Sequence, residues 1–184
     1  VEQYINDDCV DRKGLMVFLD MEKAFDRVSY EFLLRGLEAV GFGPTFINTI
    51  KLMYDTANPP KRRIYANGYY SDWFDIKSGV AQGCPISPLL CLIIAQGLRV
   101  AIDREGVEGI SIGDIITKIS QFADDTTLLL RDTDQLKPAF QAIRKWCEAT
   151  GMRENLKKRE GLALGSYRTQ RKFTPGSRTR HEQV

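Results

Sequence analysis

The chain has 184 residues, 43% of them apolar and 27% charged, a balance that excludes a disordered or fibrous protein and suits one domain with a tail. Its net charge of +2 is uneven, since from Arg153 onward nine Lys/Arg face three Asp/Glu while the preceding part is net acidic, so the end of the chain suits either a polyanion or simply water. The one histidine, His181, lies in a polar tail, and Cys9, Cys84, Cys91 and Cys147 lack ligand spacing, which argues against histidine-based nucleophilic catalysis and zinc and leaves oxygen ligands for any metal.

Residues 1–13 read as a polar N-terminal remnant without period. Leu15–Leu19 is a short apolar run that stops at Asp20, the pattern of a strand buried on both faces. Ser29 is placed to cap a helix reaching about Val40, with Phe32, Leu33, Leu37 and Val40 at helical spacing and Gly41 at its end. A second helix fits Thr45 to about Asp55. Asn67-Gly68 then separates two strand-like runs, 63–66 and 69–74, as in a tight hairpin. Residues 77–86 form a Gly-rich loop, and Ser87-Pro88 reads as an N-cap and first turn of a helix to about Asp103.

Strand-like segments follow at 109–112, 115–122 and 126–130, the last two joined by Ala123-Asp124-Asp125. A helix from about Gln135 to Thr150 carries Leu136, Ala139, Phe140, Ile143, Trp146 and Cys147 on one stripe. Gly161–Gly165 is one more candidate strand, and from 166 no apolar face remains, so 166–184 reads as a basic, disordered tail. The element order is that of an α+β protein with helices on a mainly antiparallel sheet. No run approaches the ~20 apolar residues of a membrane span, and no secretory leader is in view. An intracellular chain is expected, in nucleus or cytoplasm alike.

Three carboxylates stand out. Asp20 ends a buried strand, and Asp124 and Asp125 sit at the tip of an apolar hairpin. If the two strands are neighbours, the carboxylates converge at one sheet end, where like charges repel unless divalent cations bridge them. An Asp-Asp pair is equally at home in an ordinary turn. The loop ahead of Ser87 adds Gln82, able to donate and accept hydrogen bonds, and Gly83, which admits close approach of another backbone or a base.

Taken together, three segments resemble the reverse transcriptases, in wording nearest the non-LTR, LINE-type retrotransposon enzymes. They are Phe18–Val28, containing Asp20 and Asp26, Gly79–Leu90, and Phe122-Ala-Asp-Asp125. The resemblance covers 14–165. It implies a polymerase palm, a ferredoxin-like antiparallel sheet with packed helices, plus part of the fingers. It further implies RNA-directed DNA polymerase activity with two Mg²⁺ ions, for which Mn²⁺ can substitute.

Carried over by position, Asp20 and Asp124 match the two metal-ligating aspartates, and Asp125 matches the neighbouring catalytic-motif aspartate, usually a lesser ligand. Phe25 matches the bulky residue beside the sugar 2′ position, a role that does not preclude core packing. Gln82 and Gly83 match residues near the template and incoming base. Asn155–Glu160 resembles a later motif whose lysine protonates the departing pyrophosphate. Lys157 and Lys158 both fit that role, the stretch reads equally as a solvated charge run, and Arg159 stands where the family often has Ser or Thr. Asp26 is a candidate to orient a neighbouring Arg or Lys.

The expected partners are an RNA template, a DNA primer and a deoxynucleoside triphosphate, with no membrane. The upstream fingers and the thumb of such an enzyme are not expected within this chain, which would make it a palm fragment of little or no activity alone. The alternatives are a non-catalytic retroelement relic that binds nucleic acid weakly, and an interaction module whose Asp pair only makes a turn.

Overall fold

The computed structural model describes residues 13–112, 114–122 and 125–165. Their contacts fall into two units, one of residues 13–21, 101–143 and 154–165, the other of 22–100 and 144–153.

The first unit is built on a four-stranded antiparallel sheet. Strand β1 (Lys13–Leu19) lies inside it, between β10 (Glu160–Gly165) and β9 (Asp125–Leu130), and β8 (Ile119–Phe122) forms the edge beyond β9. Val17 pairs with Leu128 on one side and Gly161 on the other. Leu15, Val17 and Leu19 are buried, as are Leu128 and Leu130. On the second face Met16 packs with Ile110, Leu129 and Leu164. Burial on both faces therefore holds at that end of β1, but Phe18, next to the Asp20 end, is 38% exposed.

A separate hairpin joins β6 (Ile110–Ile112) to β7 (Ile115–Thr117). The expected continuous strand over 115–122 is thus divided at Lys118. The carbonyl of Lys118 accepts from the Leu129 amide (2.8 Å), and its ammonium meets Asp103 at 2.7 Å. Asp132 caps a 3₁₀ turn at Thr133–Gln135, accepting from the Asp134 amide at 3.0 Å.

The second unit is mainly helical. After the single turn α1 (Ala24–Arg27) come α2 (Tyr30–Val40) and α3 (Pro44–Met53). Ser29 caps α2 by accepting from the Phe32 amide, and Gly41 closes it through the carbonyls of Leu37 and Glu38. Leu33 and Leu37 are buried, whereas Val40 is exposed at the last position. Helix α4 (Ser87–Arg104) begins in this unit, and α5 (Leu136–Thr150) ends in it. Small residues set how closely α2 and α4 approach: a Cβ on Gly36 would lie 2.8 Å from Ile93, and one on Gly97 would lie 2.9 Å from the Phe32 ring. Trp146 of α5 is buried here and donates its indole N–H to the Ile94 carbonyl at 3.0 Å.

Ser87 departs from the expected cap. It is the first residue of α4, and its hydroxyl donates to the Ala81 carbonyl at 2.7 Å, bracing the loop before the helix. Four short strands complete the unit. β2 (Lys61–Arg62) pairs with β5 (Phe74–Asp75), and β3 (Tyr65–Ala66) pairs with β4 (Tyr69–Tyr70). The β3–β4 turn is Asn67-Gly68 with φ of 52° and 85°, the two positive values a type I′ turn needs.

Candidate functional site

The β1–β9 ladder ends with Leu19 opposite Thr126. Asp20 follows Leu19 and Asp125 precedes Thr126, so both carboxylates leave the same end of the sheet. Asp125 is exposed and Asp20 half-buried. Their placement at one end follows from antiparallel pairing, which brings the end of one strand beside the start of the next. Ala123 and Asp124 lie outside the described residues.

The segment between α5 and β10 closes on Asp20 from the other side. The Asp20 carbonyl accepts from the Asn155 amide at 2.9 Å, and the Asn155 side-chain Nδ2 donates to Asp20 Oδ2 at 3.2 Å. The Asn155 carbonyl accepts from the Lys158 amide at 3.0 Å, and the Lys158 ammonium reaches Asp20 Oδ1 at 3.2 Å. Each Asp20 oxygen thus has one donor. Of the two candidate lysines it is Lys158 that touches the carboxylate, while the Lys157 amide donates to Asn155 Oδ1 (3.3 Å).

Arg159, where the family often has a small hydroxyl residue, makes a two-pronged pair with Glu154 at 2.5 and 2.6 Å and lies over the Phe140 ring at 4.1 Å. That pair is a covered strut beneath the turn that carries Asn155 and Lys158.

In the second unit the loop at Gly79–Gly83 is fastened to α1. The Phe25 carbonyl accepts from Val80 (2.7 Å), the Val28 carbonyl from Gly79 (2.9 Å), and the Asp26 carbonyl from the Ser78 hydroxyl (3.0 Å). Gln82 Nε2 donates to Asp26 Oδ1 at 3.2 Å. Asp26 therefore meets an amide rather than the Arg or Lys expected of it. Phe25 is half-buried, in keeping with partial packing, and Gly83 has open space where a Cβ would stand.

Sequence reasoning missed two contacts, Asn155 on Asp20 and Gln82 on Asp26. Both link residues far apart in the chain, and the only sequence signal was that each partner lay in a segment already singled out. Among the described residues no three His, Cys, Asp or Glu side chains form a metal-sized cluster, and no helix is long and apolar enough to cross a membrane.

Comparison with known proteins gives the family of the chain. The sequence pattern of "Reverse transcriptase (RNA-dependent DNA polymerase)" matches residues 7–175. A Xenopus laevis protein, the transposon TX1 uncharacterized 149 kDa protein, is 32% identical over 161 residues, covering 82% of this chain and 11% of its own. The retrovirus-related Pol polyprotein from type-1 retrotransposable element R2 of Popillia japonica is 30% identical, covering 82% of this chain and 21% of its own. The chain thus spans between about a tenth and a fifth of these relatives' length. The structure of telomerase from Candida tropicalis in complex with a fragment of telomeric RNA superposes with a TM-score of 0.62 at 14% identity, over 88% of this chain and 28% of that one, so the fold is shared. With its α+β fold, its antiparallel sheet and a family match over most of its length, the chain belongs to the reverse transcriptases, among relatives from non-LTR retrotransposons.

Proposed function

We propose that this chain supplies the catalytic core of an RNA-directed DNA polymerase, which extends a DNA primer on an RNA template. Residues 14–165 constitute this core, and 166–184 a basic tail. The observation that carries the reading is the β1–β9 register, ending at Leu19 and Thr126, which sends Asp20 and Asp125 off one end of one sheet. Asp124 adjoins Asp125 in sequence.

The donor set fits a hard divalent cation. Asp20 and Asp125 offer carboxylate oxygens, and Asp20 already attracts an ammonium. In this reading Asp20, Asp124 and Asp125 hold two Mg²⁺ ions, or Mn²⁺ in their place. When bound, such ions neutralise triphosphate charge and acidify the primer hydroxyl.

The chain's own side chains orient and move protons. Asn155 grips both the carbonyl and Oδ2 of Asp20, which limits rotation of the carboxylate. A new bond forms between the primer 3′-oxygen and the α-phosphorus, and the α–β bridging bond breaks. The hydroxyl proton passes to solvent, and Lys158 gives a proton to the departing pyrophosphate. Phe25 crowds the sugar 2′ position, while Gln82, steadied by Asp26, and Gly83 adjoin the template and incoming base.

The test is Mn²⁺ binding to the 184-residue chain, followed by electron paramagnetic resonance, alongside nucleotide addition to a DNA primer on an RNA template. Asp20→Asn should weaken Mn²⁺ binding at least about tenfold, since one unit of lost charge attraction at close range is worth more than ~1.4 kcal/mol. Unchanged Mn²⁺ affinity in both Asp20→Asn and Asp125→Asn would refute the assignment. Processive extension by the isolated chain would overturn the expectation that it needs further segments.

A further inference from the structure

The turn that carries Asn155 and Lys158 is closed at its base by the two residues that flank it. Glu154 precedes residues 155–158 and Arg159 follows them. Their side chains meet twice, Arg159 Nε donating to Glu154 Oε1 at 2.5 Å and Nη2 to Oε2 at 2.6 Å. Inside the loop so closed, the Asn155 carbonyl accepts from the Lys158 amide, and Asn155 Oδ1 accepts from the Lys157 amide as in an Asx turn. The base is tied to its own unit at both ends. The Glu154 backbone bridges Met21, the residue after Asp20, and the Arg159 guanidinium lies over the Phe140 ring of α5.

Stability alone does not account for such a pair. The Arg159 and Glu154 side chains are 12% and 7% exposed, so each charge has given up most of its water. At that depth desolvation offsets the attraction, and an apolar pair of similar size commonly holds a fold together as well or better. What apolar side chains lack is direction. A guanidinium–carboxylate fork fixes distance and plane together, and the Phe140 ring fixes the guanidinium from another side.

The turn above the fork needs that direction. Asn155 Nδ2 and Lys158 Nζ reach separate oxygens of one carboxylate, each at 3.2 Å. Both contacts stand near the outer limit of a hydrogen bond, so moving the turn by about 0.5 Å would end them. Arg159 stands where the family often has Ser or Thr, neither of which could form the fork, so the resemblance does not supply this pair.

We propose that Arg159 and Glu154 are positioning residues, a clamp that holds Asn155 and Lys158 on the two oxygens of Asp20. The clamp acts through the turn and touches none of the reacting groups. That Lys158 then gives up a proton rests on the polymerase reading; the positioning does not.

The test separates position from stability in the 184-residue chain, in chelator and without nucleotide. Pairing Glu154→Leu with Arg159→Met exchanges the fork for an apolar contact. Amide hydrogen exchange followed by nuclear magnetic resonance compares protection at Asn155, whose amide donates to the Asp20 carbonyl, with protection at Leu129, whose amide donates to the Lys118 carbonyl in the same unit. A general loss of stability does not lower the Asn155-to-Leu129 ratio, whereas loosening of the turn does. The ratio should fall at least about tenfold in the double variant, and likewise in Arg159→Lys, which keeps the charge but not the fork. Nitrogen relaxation of the lysine ammonium groups, with Lys158 identified by Lys158→Arg, should show Lys158 more ordered than exposed Lys157 in the parent chain and equal to it in both variants.

A smaller fall of the ratio in the double variant would overturn the proposal, and so would a Lys158 ammonium that keeps its parent order there. Parent-like values in Arg159→Lys would overturn the role of the fork. These measurements read the turn without metal, so their failure is distinct from a failure of the Mn²⁺ test.

Discussion

Replacing Gly79 by Ala tests how the Gln82 loop is held. Gly79 has φ of +91°, and a Cβ there would lie 2.8–2.9 Å from the Cα, carbonyl carbon and oxygen of Asp26. Those are backbone atoms of α1, bound to this loop by the amides of Gly79 and Val80, so they cannot swing aside as a side-chain tip can. The left-handed conformation costs an alanine ~1–2 kcal/mol, and the clash adds ~1–3 kcal/mol. Gly83 supplies the control. Its φ is +82°, but nothing lies within 4 Å of a Cβ there. Gly83→Ala should therefore cost only the conformational part. The lost flexibility of the unfolded chain is similar for both substitutions and cancels between them.

Urea unfolding followed by circular dichroism should place Gly79→Ala ~2–5 kcal/mol below the parent chain and ~1–3 kcal/mol below Gly83→Ala. The corresponding fall in Tm for Gly79→Ala is roughly 5–20 °C. Equal stability of the two variants, within ~0.5 kcal/mol, would show that the loop does not press on Asp26 and that the described contact is wrong.

Glu154→Ala should cost roughly 3–5 kcal/mol in the same assay, because it strips the counter-charge from the largely covered Arg159, whereas pairing Glu154→Leu with Arg159→Met should recover most of the loss; a single-variant cost below ~1 kcal/mol refutes the strut. Burial pushes the Cys91 thiol up to about 11, so about one thiol in a thousand is ionised at pH 8. Mass spectrometry should then find Cys91 alkylated by iodoacetamide far more slowly in the folded chain than in urea, and equal rates would contradict the burial. For Asp132, burial alone would raise the carboxyl, but the Arg131 side chain and the Asp134 amide outweigh it and hold it below the usual range. Its charge thus stabilises the fold above the unfolded value of ~3.9 and ceases to do so as pH falls through the lower folded value. The stability gap between the parent chain and Asp132→Asn should be full at pH 6 and close in acid. A gap that widens on acidification reverses the sign and sinks the assignment.

Local signals carried much of the fold. Ser29 and Gly41 bracket α2 because capping chemistry acts within a few residues, and Asn67-Gly68 forms its turn because few other pairs tolerate those angles. The apolar run at 15–19 also became a strand, its unbroken hydrophobicity matching an inner position between β9 and β10. The misreadings share a cause as well. At Lys118, where the expected strand divides, the pairing changes from β6 to β9, a choice of partner strand that local pattern does not carry. The Ser87 hydroxyl donates back to the Ala81 carbonyl, a loop contact that capping rules, in which the side chain accepts from helix amides, do not foresee. At the candidate site, Asp20 and Asp125 were legible as strand ends, but Asn155 lies 135 residues from Asp20 and Gln82 lies 56 from Asp26, distances at which only tertiary closure decides partners. The hairpin's aromatics read as strand formers, and nothing in their order disclosed that they stay uncovered.

The ammonium of Lys158 on Asp20 has a practical corollary. A carboxylate cluster that depended on added ions for its charge balance would make the fold hostage to ionic supply. Here one acid, Asp20, is already offset by Lys158, which stands just before β10 in the same unit. The described fold should therefore persist in a chelating buffer, where circular dichroism should show the same helix and sheet content as in millimolar magnesium.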